Sequence, residues 1–342
     1  MGDLVSRTLL KIENLRVYYE TPRGPVKAVD GVDLEVYEGE SFCLVGETGC
    51  GKSTLALAIP RLLPPNARIV DGSIVFKGVD LTKLSESQLR KLRGREIAVV
   101  FQNPMRSLNP VLRIGFQVAE APLTHFKVSW REALSIAIER LKRVGIPDVE
   151  MRVRDYPHVF SGGVKQRTMI AMMTTCKPSL LIADEPTTAL DVTIQAQVLR
   201  LLRELKDEYS LTLILITHNF GIVAEMCDRV GVMYAGKIVE IGGVEEVFES
   251  PLHPYTRGLV DCVVARRGSK ARLNQIPGFP PSLLNPPSGC RFHPRCPYAI
   301  EICRVEEPKL IRVEGEHYVA CHRAGELDFS TVLADVSEFL SR

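Results

Sequence analysis

The stretch SFCLVGETGCGKSTLALAIPRLL, residues 41–63, decides the fold. SFCLV reads as a buried strand and TLALAIPRLL as a helix. Between them lies GETGCGKST, residues 46–54, which fits G-x-x-x-x-G-K-[ST] with the strand and helix on the required sides. Gly46, Gly49 and Gly51 let the backbone curl until its N–H groups face an anion. The helix start adds partial positive charge. Lys52 can reach the β and γ phosphates of a nucleotide, and Ser53 can offer a hydroxyl to Mg2+. A glycine-rich turn with a chance lysine would not carry those flanks.

The partner motif is LLIADEP, residues 180–186. Asp184 ends a buried strand, where a lone carboxylate is costly without a cation; a magnesium-bound water is its natural partner. Glu185 follows at the strand tip, placed to polarise a water for attack on a γ phosphate. Together the two motifs define a P-loop ATPase or GTPase. Three further features narrow this. FSGGVKQR, residues 160–167, is a second glycine pair opening a second helix, and so a second anion site. One pocket rarely needs two γ-phosphate sites, but two chains packed head to tail would use both. Gln102 ends one strand and His218 follows another, LTLILIT.

The 342 residues allow one large domain or two to three smaller ones. A formal net charge of +2 gives no electrostatic case for nucleic acid. No apolar run approaches the ~20 residues that span a bilayer. The N-terminus, MGDLVSRTLLKIENL, lacks the long apolar core of a secretory signal, so the chain is expected to stay in the cytoplasm, where disulfides rarely persist. Cys43, Cys50, Cys176, Cys227 and Cys262 stand singly and read as small structural residues.

Along the chain, residues 8–45 read as strands joined by turns, with another strand at 72–81. A charged helix is predicted at 86–95, a buried strand at 97–102 and helical spacing across 115–145. Residues 162–176 read as a helix with Ser161 as its cap. Strands at 180–184 and 211–217 flank a helix at 192–209, a strand–helix–strand unit of a parallel sheet. Beyond residue 250 prolines crowd the sequence, and the chain reads as an extension of different character.

GETGCGKS, VVFQNP, FSGGVKQR, LLIADEP, TTALD and ITH follow the order and rough spacing of ABC transporter ATP-binding subunits, which residues 8–250 resemble. The resemblance implies an α/β fold, a P-loop NTPase of the ABC nucleotide-binding type. It would carry an antiparallel β subdomain and a helical subdomain at about 104–176. It implies that Gly46, Glu47, Thr48, Gly49, Cys50, Gly51, Lys52, Ser53 and Thr54 bind the phosphates of ATP. Ser53, Gln102 and Asp184 would hold Mg2+, with Gln102 sensing the γ phosphate. Glu185 would be the general base, and His218 would contact the γ phosphate and orient the water. Ser161, Gly162 and Gly163 would grip ATP on a partner subunit, and Asp191 would link the two halves. Tyr19 would stack on adenine, the alternation Leu15, Val17, Tyr19 favouring it over Tyr18. Phe160 and Val164 depart from the usual leucine and glutamine, without touching the anion-binding glycines.

ESPLHPYTRGLV (249–260), IPGFPPS (276–282), FQNPMRSLNP (101–110) and the cysteine stretch resemble the oligopeptide/dipeptide importer ATPases. The resemblance makes Met105, Ser107 and Leu108 candidates for docking a permease helix. It divides the chain into a nucleotide-binding domain, 1–250, and an extension, 251–342. In that extension Cys290, Cys296, Cys303 and Cys321 are separated by five, six and seventeen residues. Zinc knuckles usually space paired ligands by about two to four. Four cytoplasmic thiolates suit a [4Fe–4S] cluster, and related importer ATPases carry one there. Zinc, with His293, His317 or His322 as substitute ligands, is the alternative; free thiols or a disulfide come after.

The expected protein is thus the ATPase of an ABC importer on the cytoplasmic face of the membrane. Its partners would be a second ATPase subunit, two permease subunits and, indirectly, an extracytoplasmic solute-binding protein. Peptides are the expected cargo, with oligosaccharides or nickel as the alternatives. A soluble ABC ATPase acting on nucleic acid or ribosomes would need a second cassette or a heptad run. An iron–sulfur sensor switched by ATP would not need Glu185 and His218.

Overall fold

The computed structural model describes residues 7–103, 107–188, 190–264, 276–327 and 329. They form two compact units, Met1–Thr82 with Ile216–Arg342, and Lys83–Leu215.

The first unit opens with β1 (Thr8–Tyr19) and β2 (Val26–Tyr37), an antiparallel pair. Leu10 and Ile12 are buried, and so are Leu15 and Val17. The parity of the buried face changes because the register shifts between Ile12 and Leu15. Asn14 sits in that bulge at φ +45°, a left-handed angle that asparagine tolerates better than most side chains. Next come β3 (Ser41–Val45), entirely buried, and α1 (Lys52–Ala58). The strands β4 (Ala67–Phe76) and β5 (Val79–Asp80) complete a four-stranded antiparallel sheet in the order β2-β1-β4-β5.

The second unit runs through α2 (Glu86–Leu92), β6 (Ile97–Val100), α3 (Ile114–His125), α4 (Trp130–Arg143) and α5 (Val149–Arg152). It continues with α6 (Gly162–Thr174), β7 (Leu180–Asp184), α7 (Val192–Tyr209) and β8 (Thr212–Ile216). The strands β8, β7 and β6 lie side by side, β6 and β7 parallel. Their continuous apolar runs are buried on both faces, as parallel strands require. The single helical span predicted over 115–145 is two helices. Ser129 caps the second, accepting from the Glu132 N–H at 3.3 Å, while Glu132 accepts from the Ser129 N–H at 2.7 Å.

The chain then returns to the first unit with α8 (Phe220–Met226), β9 (Arg229–Tyr234), β10 (Lys237–Gly243), α9 (Val244–Glu249) and α10 (Pro254–Val264). The tail adds α11 (Ile302–Val305), β11 (Ile311–Glu314) and β12 (His317–Val319). Here the strands run β11-β12-β10-β9-β3. Glu240 of β10 pairs with Val319 of β12, and Phe42 of β3 with Arg229 of β9. The proline-rich tail is therefore hydrogen-bonded into the sheet that carries the strand before the phosphate loop. Among the described residues no helix is long and apolar enough to cross a membrane.

Candidate nucleotide site and the cysteine-bearing tail

In the phosphate loop, Gly46, Gly49 and Gly51 have φ of +150°, +83° and +113°. A Cβ on Gly46 would lie 2.1 Å from the carbonyl oxygen of Met233, and one on Gly51 2.1 Å from that of Ala28. Glycine is required at both for space as well as for angle. At Gly49 nothing lies within 4 Å of such a Cβ, so the angle alone selects it. The buried Lys52 lays its ammonium inside the curl, donating to the carbonyls of Gly46 at 2.7 Å and Glu47 at 3.0 Å. Ser53 is exposed between the buried Lys52 and Thr54, so its hydroxyl is available to a cation. Burial pushes the Cys50 thiol up in pKa, against the pull of Lys52, which makes it a packing group rather than a nucleophile. This glycine cradle, buried ammonium and outward hydroxyl fit a magnesium-bound nucleoside triphosphate.

Tyr19 reaches the same loop, its hydroxyl 3.1 Å from Thr54 Oγ1. Tyr18 turns the other way and donates to Asp30 at 2.6 Å. Thr48 is exposed on the loop. The N–H of Glu47 donates to the Tyr255 hydroxyl at 2.9 Å, and its carboxylate pairs with Arg295. Both groups of Glu47 are thus engaged by the tail rather than turned toward a phosphate. His218 is exposed just after β8, and the neighbouring Asn219 caps α8 by accepting from the Gly221 N–H at 3.0 Å.

In the second unit Asp184 ends β7 and Glu185 follows at φ +46°. A non-glycine residue there costs about 1 kcal/mol, a strain that concentrates at functional positions. Gln102 Nε2 donates to Glu185 Oε2 at 2.8 Å, and Thr188 Oγ1 donates to the same oxygen at 2.9 Å. Thr188 is a contact that motif reading missed, although it lies inside TTALD. Ser161 caps α6, accepting from the Val164 N–H at 3.4 Å. Ser161 and Gly162 are exposed. Gly163 lies against α7, where a Cβ would stand 2.7 Å from Ile194 Cγ2. Asp191 caps α7, its Oδ1 accepting from the Ile194 N–H at 3.0 Å.

Of the permease-docking candidates, Met105 lies outside the described residues. Leu108 is buried, so it serves the core rather than a surface groove. Ser107 donates to the Asn103 carbonyl at 3.3 Å. The same unit exposes Val111, Phe116 and Trp130, the last two with rings 5.7 Å apart. Their hydrophobicity is the sequence signal that could have found them.

None of the nine cysteines is in a disulfide. Cys43, Cys50 and Cys176 are buried, while Cys227 and Cys262 are half-buried. In the tail, the Cys290 N–H donates to the Cys303 carbonyl at 2.8 Å. Burial pushes the Cys290 thiol up to about 12, and Cys303, Cys321 and Cys296 push the same way. Burial raises Cys321 to about 11, with Cys296 and Cys303 adding to it. Among the described residues no three His, Cys, Asp or Glu side chains are grouped to hold a metal ion. The expected metal-cluster extension thus finds no formed metal site here, whether for zinc or for a cluster. The substitute ligands are engaged elsewhere: His293 Nδ1 is 3.0 Å from the Cys290 carbonyl, His317 Nε2 2.8 Å from Glu240, and His322 Nε2 2.9 Å from the Glu306 carbonyl. The arginines of CRFHPRC, silent in the sequence reading, both turn inward: Arg291 pairs with Asp30 and Arg295 with Glu47.

Comparison with known proteins agrees with this geometry. Residues 29–188 match the family described as ABC transporter, and residues 239–303 match the oligopeptide/dipeptide transporter C-terminal region. The dipeptide transport ATP-binding protein DppD of Bacillus subtilis is 48% identical, over 92% of this chain and 94% of its own. The oligopeptide transport ATP-binding protein AppD of the same organism is 46% identical, over 92% of this chain and 96% of its own. Among solved structures, a dimeric ATP-binding cassette in a post-hydrolysis state with ADP and Pi superposes with a TM-score of 0.62. It is 26% identical and covers 69% of this chain and 98% of its own.

Proposed function

The chain belongs to the ATP-binding subunits of the oligopeptide/dipeptide ABC transporter family, and from that premise we propose that it hydrolyses ATP to drive uptake of di- or oligopeptides through separate permease subunits. The observation that carries the hydrolytic reading is Glu185 at the end of β7, with the Gln102 amide 2.8 Å from its carboxylate. A general base needs a neighbour that fixes its direction, and Gln102 supplies one. Glu185 takes a proton from the attacking water as the water oxygen bonds to the γ phosphorus. The bond from that phosphorus to the bridging oxygen breaks, and its electron pair leaves with ADP. Lys52 and the loop N–H groups stabilise the charge on the phosphates. Ser53, Gln102 and Asp184 would hold Mg2+, which neutralises phosphate charge when bound. His218 would orient the water, and Tyr19 would stack on adenine.

The exposed Ser161 and Gly162 suit a second role, gripping ATP held by a partner ATPase subunit, with Asp191 linking the halves. The partner is a related chain or a second copy. Residues 1–250 read as the nucleotide-binding domain and 251–342 as the family's extension. Exposed Val111, Phe116 and Trp130 support docking on permease, and with two permease subunits as partners the chain would work at the cytoplasmic face of the membrane. A solute-binding protein would deliver cargo. A [4Fe–4S] cluster held by Cys290, Cys296, Cys303 and Cys321 rests on the number and spacing of the cysteines and on the family resemblance. It would need the four thiols to draw together, since no three are grouped for a metal among the described residues. Its role would be structural, a covalent staple for a proline-rich segment.

The test is reconstitution with the permease. Permease and peptide-loaded binding protein should raise ATP turnover and drive peptide into vesicles. Turnover raised only by oligosaccharide- or nickel-loaded binding protein would reassign the cargo, and turnover indifferent to permease would overturn the transport reading.

A further inference from the structure

The second residue of the phosphate loop is held from outside the loop. The Glu47 N–H donates to the Tyr255 hydroxyl at 2.9 Å. The Glu47 carboxylate takes two hydrogen bonds from Arg295, at 2.6 and 3.0 Å. Arg295 is itself fixed. Its Nε donates to the Pro277 carbonyl at 2.8 Å, and the guanidinium also reaches the Tyr234 hydroxyl at 3.3 Å. Its side chain is only 5% exposed. It lies over Tyr234 and Phe292, at 5.7 and 5.9 Å from the ring centroids. Tyr255, fully buried, packs against both of those rings at 4.6 and 5.3 Å.

Two consequences follow for the loop. A carboxylate at its second position would repel the polyanion that the loop binds, and a forked, desolvated guanidinium cancels that charge. The Glu47 carbonyl also accepts from Lys52 at 3.0 Å, so whatever orients Glu47 orients the cation that meets the phosphates. We propose that Arg295, with Tyr255, is a positioning residue for the phosphate loop. Through it the cysteine-bearing tail sets the affinity for nucleotide by neutralising and orienting Glu47. Arg295 directly precedes Cys296 in CRFHPRC, so the fold of the thiol-bearing segment is what places the guanidinium. The inference deepens the nucleotide-binding reading and rests on it.

The test is a titration of the full chain with ATP and with adenosine, for wild type, Arg295→Gln, Arg295→Lys, Glu47→Gln and the double variant Arg295→Gln/Glu47→Gln. Wild-type ATP binding in the same series tests the underlying reading by itself. Arg295→Gln leaves the carboxylate unneutralised and should weaken ATP binding about tenfold or more, with adenosine binding little changed. The double variant should bind ATP better than Arg295→Gln, because the repulsive charge is gone. Arg295→Lys, which keeps the charge and loses the fork, should fall between wild type and Arg295→Gln. The proposal is overturned if Arg295→Gln binds ATP as wild type does, or if removing the Glu47 charge gives no recovery. Should Arg295→Gln not fold, Arg295→Lys decides: unchanged ATP affinity, or an equal loss for ATP and adenosine, overturns it.

Discussion

The amide of Gln102 stands 2.8 Å from Oε2 of Glu185, and the hydroxyl of Thr188 stands 2.9 Å from the same oxygen. Two donors on one oxygen fix the direction of the carboxylate without adding a charge. Gln102→Ala removes one of them and leaves the phosphate loop intact. Turnover should fall about tenfold to a hundredfold, and by more than ATP affinity falls through the loss of a Mg2+ ligand. Steady-state kinetics beside an equilibrium titration check the split, and unchanged turnover would remove Gln102 from the hydrolytic step.

The loop glycines should not be equal. A Cβ on Gly51 meets the Ala28 carbonyl oxygen at 2.1 Å, whereas one on Gly49 meets nothing within 4 Å. Gly51→Ala must displace backbone and should cost about 4 kcal/mol or more. Gly49→Ala faces only its φ of +83° and should cost about 1–2 kcal/mol. Chemical denaturation of both variants gives the ranking, and equal losses would contradict the steric account.

Stability should fall in mild acid through His253. The side chain is 1% exposed, and its Nδ1 accepts from the Tyr255 N–H at 3.0 Å. Burial pushes its pKa from 6.5 down to about 3. Folded, it stays neutral across that interval, while the unfolded chain takes up a proton below 6.5. The stabilisation is therefore complete above pH 6.5 and is lost progressively as the pH falls toward 3. At pH 5 this residue alone should account for about 2 kcal/mol of lost stability. Denaturation of wild type and His253→Gln at pH 7 and pH 5 reads the difference in slope, and identical slopes would refute it.

Anaerobically purified protein tests the cysteine reading. Near four irons and four sulfides per chain, with broad visible absorbance, are expected if Cys290, Cys296, Cys303 and Cys321 hold a cluster. Cys296→Ser should lose that iron and destabilise the tail. Metal-free wild type, or about one zinc, would overturn the cluster.

Much of the fold was legible because its signals are local. Leu180–Asp184 and Val192–Tyr209 fall where the apolar runs and the Asp191 cap predict. The strands β9 to β12 were not foreseen: β9 with β10 and β11 with β12 are hairpins across two-residue turns that the motif reading passed over, and the pairing of Glu240 with Val319 joins segments far apart in sequence. In the site, the curl of the loop and the position of Asp184 and Glu185 at the strand end could be read from spacing, and the approach of Tyr19 to the loop from alternation; the roles assigned to them are proposals. The Thr188 contact needed a turn that spacing does not specify. Arg291 and Arg295 sat in a stretch whose cysteines drew the chemical reading. Their partners, Asp30 and Glu47, lie more than two hundred residues away, so no local pattern could couple them.

The most direct measurement is ATP hydrolysis by Glu185→Gln beside wild type, with nucleotide binding and oligomeric state followed together. The account predicts retained ATP binding, turnover lowered by about a hundredfold or more, and a dimer that persists in MgATP. Wild-type turnover by that variant would contradict the assignment of Glu185 as the base.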